Sequence, residues 1–196
     1  MGSANWAQGN CWLLKPGDRR YSKSSILWPL RLFQEVPLTI EFDQRQLRDA
    51  FGRFMTGVVV VITRAPDGNP VGFTANSFAS VSMSPPLISV CPGSFLTSYE
   101  AFKACEAFTV SILSQDQEAV AKTFAGFKGD RFAQVDWEEG AATGLPIISG
   151  AAANFECATH QVVPAGDHII LLGEVKGLRD FAKPGLGYAA GDFFQR

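Results

Sequence analysis

The chain has few charged residues and no hydrophobic stretch long enough to cross a membrane. Of its 196 residues, 18% are charged and 46% are hydrophobic, and its longest aliphatic run extends only from Val58 to Ile62. A membrane helix needs roughly 20 apolar residues. The sequence also predicts no secretory signal, since the apolar residues Trp12–Leu14 are followed at once by the polar, mostly charged segment Lys15–Arg20. We therefore expect a soluble globular protein of the reducing cytoplasm.

The sequence also lacks a block of lysine or arginine, and its formal net charge is −2. Domains that bind nucleic acid present a basic surface, so nucleic acid is not an expected partner. The cysteines and histidines are too few and too widely spaced for a zinc site or a disulfide framework. They are Cys11, Cys91, Cys105, Cys157, His160 and His168, without a CxxC pair. We predict no metal site.

Residues 1–37 differ in composition from the rest of the chain. They contain five basic residues against two acidic ones and show no sustained period of a helix or a strand. Such a segment is typical of a terminal extension that is disordered or packs on a partner subunit. The sequence therefore predicts an extension over residues 1–37 and a folded domain over residues 38–196.

The segment after residue 42 predicts a helix followed by a buried strand. Asp43 can cap a helix whose apolar residues recur at helical spacing, with Gly57 as its stop, so one face of the helix should be buried. Those apolar residues are Leu47, Ala50, Phe51 and Phe54. The run from Val58 to Ile62 favours a strand buried on both sides, because valine side chains disfavour a helix. The turn-forming residues 65–70 predict a hairpin into the next strand.

Further along the chain, strand patterns outnumber helix patterns. Strands are predicted at residues 87–90, 108–113, 152–163 and 168–178, whereas residues 129–145 have the composition of a loop. Two capping boxes, Thr97 to Glu100 and Ser114 to Gln117, predict the starts of two further helices, the second ending near Gly126. Since no βαβ alternation occurs, the fold class is mainly β, an antiparallel β-barrel with flanking helices.

Between Pro70 and Gly93, small polar side chains occur at almost every second position. Along a strand, the even-numbered ones would share one face. This face could bind a polar ligand or could simply face solvent, and the residues alone leave both readings open. Gly72 and Gly93 favour a ligand, because glycine in or beside a strand often marks a close approach to the backbone. The polar residues are Thr74, Asn76, Ser77, Ser80, Ser82 and Ser84.

Four motifs resemble, in consistent order, those of the short-chain flavin reductases, the reductase components of two-component flavin monooxygenases. The motifs are Leu47–Thr63, Val71–Leu87, Gly129–Phe132 and Gly166–Val175. The resemblance implies a Greek-key-like FMN-binding split barrel that is normally a homodimer. It further implies that NADH or NADPH reduces FMN or FAD, which can then leave for a monooxygenase component.

The resemblance also implies where the flavin is bound. Backbone groups and small side chains after Pro70 would line the isoalloxazine and ribityl groups, and residues from Cys91 onward would continue the site. The phosphate would lie near Ser94, Thr97, Ser98, Lys122 and Thr123, where helix N-termini present free N–H groups to anions. Lys122 and Arg131 are the cations available to it. The full set of cofactor-binding candidates is Pro70, Val71, Gly72, Phe73, Thr74, Asn76, Ser77, Cys91, Pro92, Gly93, Ser94, Thr97, Ser98, Lys122, Thr123 and Phe124.

His168 is the one candidate for a catalytic role. Taken alone, a histidine near a strand start is more often a structural hydrogen-bonding group, but within its motif it resembles a family histidine near the flavin and the nicotinamide. We expect it to position the nicotinamide or to donate a hydrogen bond near the flavin. His160 matches no motif. Cys91 could lie beside the flavin or serve only as a small buried side chain.

The C-terminus departs from the family pattern. Members commonly carry a Tyr-Arg-Gly-x-Tyr-like segment after the last long strand, whereas residues 187–194 contain no arginine. Any role of that arginine in holding flavin or nicotinamide is therefore open here. Two other functions also remain open: an FMN-binding electron carrier or flavin-storage protein without nicotinamide turnover, and a flavin-free interaction module.

Overall fold

The computed structural model describes residues 43–195, which begin with a helix that leads into a series of hairpins. The first elements are α1 (Gln44–Gly52), β1 (Thr56–Gly57), β2 (Val59–Arg64), β3 (Pro70–Ala75), β4 (Ala79–Met83) and β5 (Pro86–Val90). The predicted extension, residues 1–37, lies outside the described residues, so the boundary at residue 38 stays a prediction. No helix in the described part of the chain is long and apolar enough to cross a membrane.

The remaining elements are dominated by two long strands. They are α2 (Tyr99–Ala104), β6 (Ala107–Ile112), α3 (Glu118–Gly126), a 3-10 turn (Phe132–Gln134), β7 (Trp137–Glu139), β8 (Pro146–Ile148), β9 (Ala153–Ala165), β10 (His168–Asp180), β11 (Gly187–Ala189) and β12 (Asp192–Phe194). Strand β7 lies in the region predicted to be a loop. Its three residues are all exposed, so no buried alternation marked it in the sequence.

Seven strands form one antiparallel sheet in the order β3-β2-β6-β9-β10-β5-β4. Its two outer strands, β3 and β4, follow each other in the chain, so Ala75 and Ala79 are at most about 14 Å apart. The described residues nevertheless form no pairing between these two strands. A sheet curled until its edges meet without pairing is a barrel with one open seam. The predicted antiparallel split barrel is confirmed, and residues 76–78 cross the seam.

Strand β2 is buried on both faces, as the sequence predicts. Val59 and Val61 belong to the cluster inside the barrel, together with Phe108. Val60 belongs instead to a second cluster with Phe124 of α3. Alternate residues of a strand point to opposite faces, so the valine run joins the barrel interior to the layer that covers it.

The start of α1 is confirmed, but its predicted buried face is wrong for the described residues. Asp43 caps the helix by accepting a hydrogen bond from the backbone N–H of Arg45 at 2.9 Å. Phe51 and Phe54, however, are 70% and 77% exposed. The helix also ends at Gly52, because the chain then turns to pair Thr56 in β1 with Tyr188 in β11. The helical spacing of Leu47, Ala50, Phe51 and Phe54 identifies the apolar face of α1, but spacing alone does not determine whether that face is buried.

The two predicted capping boxes do not form as expected. Helix α2 begins at Tyr99 with Ser98 as its N-cap, and no side chain bonds to its first turn. Helix α3 begins at Glu118, one residue after the box. Of that second box only one bond exists, from the backbone N–H of Ser114 to Gln117 Oε1 at 3.1 Å. The predicted end of α3 at Gly126 is confirmed.

The polar residues from Thr74 to Ser84 do not share one strand face. Strand β3 ends at Ala75, and β4 begins only at Ala79. A register shift between Ser80 and Ser82 interrupts the alternation again. The single polar face predicted from the sequence is therefore wrong. The break places Asn76 and Ser77 at the open seam instead of within a sheet.

Candidate active site at the barrel seam

A cavity of about 600 Å³ opens beside the seam. This volume lies within the range of about 300–1,000 Å³ that is usual for small-molecule sites. Four parts of the chain form its walls: the second half of α1 with its C-cap, the end of β3, the end of α3, and the C-terminal hairpin β11–β12. Thr74 and Asn76 are the two predicted site residues that line it.

The C-terminal hairpin gives the cavity an aromatic wall. The rings of Tyr188 and Phe193 both line it, and their centroids lie 5.2 Å apart at an angle of 58°. Lys122 Nζ lies 6.0 Å from the centroid of the Phe193 ring and pairs with Glu118 Oε1 at 2.6 Å. The segment that lacks the family arginine therefore presents flat apolar surfaces to the cavity.

The two predicted residues in the cavity differ in what their side chains have to offer. Thr74 Oγ1 donates to the carbonyl oxygen of Ala121 at 2.6 Å. This hydrogen bond links β3 to α3, so the hydroxyl proton is not available to a ligand. Asn76 is exposed, and its amide has no hydrogen-bond partner among residues 43–195. An amide offers both a donor and an acceptor. Asn76 can therefore bind a polar ligand without giving up an existing contact.

A hydrogen bond connects the seam to the residues that follow β5. The backbone N–H of Cys91 donates to Ser77 Oγ at 3.0 Å. Burial raises the pKa of the Cys91 thiol, and a hydrogen bond from Ser77 only partly offsets this. The thiol is therefore neutral near physiological pH, as expected of a small half-buried side chain.

Backbone contacts bring residues 92–94 next to His168. Gly93 and His168 form an isolated antiparallel bridge. The N–H of Ser94 donates to the carbonyl oxygen of Asp167 at 2.8 Å, and the N–H of Ile169 donates to that of Pro92 at 3.0 Å. The bridge joins two predicted parts of the site, Gly93 and His168, that are 75 positions apart in sequence.

The imidazole of His168 is held on two sides. Its Nδ1 lies 2.7 Å from Asp167 Oδ1, and the ring of Phe95 meets it edge to face with the centroids 5.6 Å apart. The hydrogen bond from His168 lowers the pKa of the Asp167 carboxyl. Because an ionised carboxylate only accepts, Nδ1 carries the proton and Nε2 is left for a ligand.

Five predicted residues serve packing or strand pairing and do not reach the cavity. The side chain of Phe73 is 5% exposed and lies in the barrel core, 4.9 Å from Phe102 between ring centroids. Phe124 is 1% exposed. A Cβ added to Gly72 would lie 3.0 Å from the Phe124 ring, so this glycine lets α3 approach the sheet. Pro70, like Val71 beside it, lies at the start of β3, paired with the end of β2.

The residues predicted to bind the flavin phosphate likewise do not line the cavity. Ser94, Thr97, Ser98 and Thr123 are absent from its lining. Thr123 Oγ1 instead donates to the carbonyl oxygen of Ala119 at 3.0 Å within α3. Arg131 is not available to an anion as expected, because its guanidinium donates to the carbonyl oxygens of Phe127 and Gly72, at 3.0 and 2.7 Å. This arginine holds the loop after α3 against β3.

The profile of the Flavin reductase like domain matches residues 51–195. The chain belongs to the flavin reductase-like family. Among curated relatives, it is 48% identical over 153 residues to the stachydrine N-demethylase reductase subunit Stc3 of Rhizobium meliloti, covering 78% of this chain and 66% of the relative. It is 47% identical over 150 residues to the reductase component of the trigonelline monooxygenase of Acinetobacter baylyi, covering 76% of this chain and 48% of the relative. The chain thus spans about half to two thirds of the length of these relatives.

A solved structure of this family is similar over most of the described chain. It is the NADH:FAD oxidoreductase SgcE6 of Streptomyces globisporus in complex with NAD and FAD fragments, with a TM-score of 0.75 and 42% identity. The match covers 79% of this chain and 93% of that one. It supports the split-barrel fold independently of the strand order described above.

The residues at the seam fit a flavin reductase-like site. The cavity combines two aromatic rings, small side chains such as Ala75 and Ala190, and the unengaged amide of Asn76. Flat apolar walls with a few polar groups suit a fused ring bearing a polar chain. Sequence reasoning missed Arg48 and Arg53, which also line the cavity. Both occur in the first resembling motif, but only the fold brings α1 to the end of β3.

Proposed function

We propose that this protein is an NADH-dependent flavin reductase that supplies reduced FAD or FMN to a separate monooxygenase component. The observation that carries the proposal is the position of the seam residues Asn76 and Ser77. Asn76 lines the cavity, and Ser77 is hydrogen-bonded to Cys91, which leads directly to Gly93 and His168. A ligand site and the candidate catalytic histidine are therefore joined through one short segment.

The bound cofactors supply the chemistry, a hydride transferred from reduced nicotinamide to flavin. The protein has to hold the two rings in contact and at the correct angle. In this proposal the seam backbone, Asn76 and the aromatic hairpin bind the flavin ring, while Pro92 and Gly93 border it on the other side. Since these groups orient the ligands and cleave no bond, the site needs no nucleophile.

His168 positions the nicotinamide in this proposal. Its ring is fixed through Nδ1 by Asp167, so Nε2 is directed away from the carboxylate and can contact a ligand. Phe95 is 75% exposed and packs against the same ring, offering a second apolar surface beside it. Both residues flank Gly93, where a Cβ would meet the Phe95 ring, so this glycine lets the ring lie against the backbone beside His168.

NADH and FAD are the favoured pair. Similarity to a reductase named for NADH and FAD supports this choice, whereas no residue among 43–195 is assigned to distinguishing NADH from NADPH. The named relatives that serve monooxygenases support the oxygenase partner. The predicted cytoplasmic location belongs to the same proposal, because NADH and a reduced flavin product are intracellular metabolites.

A steady-state assay of the full chain tests the proposal directly. NADH oxidation should accelerate when FAD or FMN is added at micromolar concentration, and NADPH should be the poorer reductant. No stimulation by either flavin with either nicotinamide would refute the proposal. Protein that retains stoichiometric flavin, yet leaves it oxidised under anaerobic NADH and NADPH, would support the electron-carrier alternative.

The proposal includes a homodimer that covers the apolar surface at the end of α1. Phe51, Phe54 and Met55 are 70%, 77% and 67% exposed among the described residues. Adjacent apolar side chains exposed to this extent are typical of an interaction surface. Phe51 also lines the cavity, so a second subunit at this surface would border the site.

Light scattering after size exclusion tests the dimer. The wild-type chain should elute as a dimer, and Phe54→Glu should shift it to a monomer at micromolar concentration. Leu178→Glu is the matched control, because Leu178 is also exposed, at 60%, but lies on β10. A wild-type monomer would refute the dimer, and equal effects of both variants would refute this choice of surface.

A further inference from the structure

We propose that Arg48 and Arg53 form an anion subsite that binds a phosphate group of one of the two dinucleotides. This inference rests on the proposed function and places the phosphate on the wall formed by α1. That wall is distinct from the helix starts at Ser98 and Glu118 to which the sequence pointed. Both arginines line the 600 Å³ cavity together with Thr74 and Asn76.

The guanidinium groups of these two arginines are unengaged within the described part of the chain. Neither forms an ion pair or a side-chain hydrogen bond with another of residues 43–195. Three other arginines of the domain, Arg64, Arg131 and Arg179, have partners. Arg64 donates to the carbonyl oxygens of Gly68 and Gly144, and Arg179 pairs with Glu138 at 2.9 Å. The cavity wall therefore carries two guanidinium groups that have no partner among residues 43–195.

The fold holds this wall in place. Arg53 is the C-cap residue of α1, and its backbone N–H bonds back to the helix. The carbonyl oxygen of Gly52 accepts a hydrogen bond from the N–H of Ala190 at 2.7 Å, which fastens the helix end to the C-terminal hairpin. Both sides of that contact line the cavity. The arginine backbone is thus positioned relative to the aromatic wall.

The charge balance of the cavity favours an anion. Asp49 also lines it, so two guanidinium groups face one carboxylate. A guanidinium presents paired N–H donors that match two phosphate oxygens. The other cations near the proposed site are engaged, Arg131 by backbone carbonyls and Lys122 by Glu118. Arg48 and Arg53 can therefore supply the positive charge that the C-terminal segment, which lacks the family arginine, does not provide.

Binding measurements on Arg48→Gln and Arg53→Gln test the subsite without relying on turnover. Arg45→Gln is the matched control, because Arg45 lies on the same helix and is exposed but does not line the cavity. Dissociation constants are measured by fluorescence for riboflavin, FMN and FAD, and separately for NADH without flavin. Losing a charged hydrogen bond to phosphate should weaken binding of the phosphate-bearing ligand roughly tenfold.

The pattern across ligands identifies the source of the phosphate. If FMN and FAD bind more weakly while riboflavin binding is unchanged, the subsite holds the phosphate next to the ribityl chain of the flavin. If only FAD binding is weaker, the subsite holds the phosphate of the adenylate part of FAD. If only NADH binding is weaker, the subsite belongs to the nicotinamide dinucleotide. The inference is overturned if all ligands, riboflavin included, change equally, if Arg45→Gln has the same effect, or if every constant stays within about twofold. A wild-type protein that reduces no flavin would instead refute the proposed function.

Discussion

Asp167 Oδ1 lies 2.7 Å from His168 Nδ1, so a residue of the turn before β10 fixes the ring that we propose to face the nicotinamide. Both backbones are fastened to the segment after β5, through Ser94 to Asp167 and through Gly93 to His168. The orientation of the imidazole therefore depends on two separate segments, the turn before β10 and the residues between β5 and α2.

Removing the Asp167 carboxylate should lower turnover without abolishing it. The pair is exposed, and water competes for such a contact, so Asp167→Ala should reduce kcat with NADH roughly fivefold or less. Asp167→Asn keeps a neutral acceptor for Nδ1–H and should recover part of the loss. Nitrogen NMR should also show the proton of His168 leaving Nδ1 in the alanine variant. Asp136→Asn, an exposed control, should change neither readout.

The hydrogen bond between Ser77 and Cys91 should matter for flavin affinity more than for stability. Ser77→Ala leaves the half-buried N–H of Cys91 without its acceptor, which should cost about 1 kcal/mol of unfolding free energy. The same change loosens the junction of the seam with Gly93, so the dissociation constant for FAD should rise several-fold. Urea unfolding and flavin fluorescence measure the two effects. Ser80→Ala, on exposed β4, should alter neither, and an equal effect there would contradict the assigned role.

Local patterns were sufficient to predict most of the strands. Four valines need no distant partner to favour a buried strand, and the hairpin from Arg64 to Pro70 is specified by its own turn residues. The cavity could not be predicted in the same way. Its walls combine Arg53, Asn76 and Tyr188, which no periodicity connects, and their proximity follows from the pairing of β1 with β11.

The candidate site illustrates a second limit of sequence reasoning. A motif indicates which residues accompany a function but not whether a side chain or only the backbone is used. Phe73 and Phe124 lie within the resembling region, yet their rings are buried in the two cores. Arg131 is a cation in one of the motifs that resemble the family, yet its guanidinium donates hydrogen bonds to two backbone carbonyl oxygens. Burial and hydrogen bonding, which depend on the whole fold, make these distinctions.

Two glycines should respond very differently to alanine. A Cβ at Gly173 would lie 2.4 Å from Phe108 Cζ and 2.8 Å from Cys157 Cβ, both fully buried, so Gly173→Ala should destabilise the protein by about 1–3 kcal/mol or more. A Cβ at Gly93 would meet Phe95 at 2.3 Å, but that ring is exposed and can turn away. Gly93→Ala should therefore cost less than about 1 kcal/mol. Urea unfolding of both variants checks the contrast.

The same Gly93→Ala variant should nevertheless impair function. Turning Phe95 aside removes the ring that packs on His168, so the KM for NADH should rise while the free energy of unfolding is nearly unchanged. A variant that loses stability as Gly173→Ala does, or that keeps the wild-type KM, would contradict this explanation.

The three cysteines in the described part of the chain should differ in reactivity and in protection by flavin. Burial raises the pKa of Cys91 and of Cys105 above the ordinary thiol value of 9.0, and raises that of Cys157 to about 12. A thiol with a raised pKa is less than about 10% thiolate one pH unit below 9, so alkylation of Cys91 should be slow there and should still accelerate above pH 9. Cys157, which has no exposed surface, should stay unmodified throughout.

Saturating FAD should affect the alkylation rates of the two half-buried thiols, Cys91 and Cys105, differently. Cys91 belongs to the proposed flavin site, whereas Cys105 lines a different cavity together with Thr63 and Arg64. FAD should therefore slow alkylation of Cys91 several-fold and leave that of Cys105 unchanged, as measured by peptide mass mapping after a timed iodoacetamide pulse. Because both thiols are compared in one sample, a global change in protein dynamics would affect both. Unchanged labelling of Cys91 at saturating FAD would show that the flavin does not bind beside the Ser77–Cys91 junction.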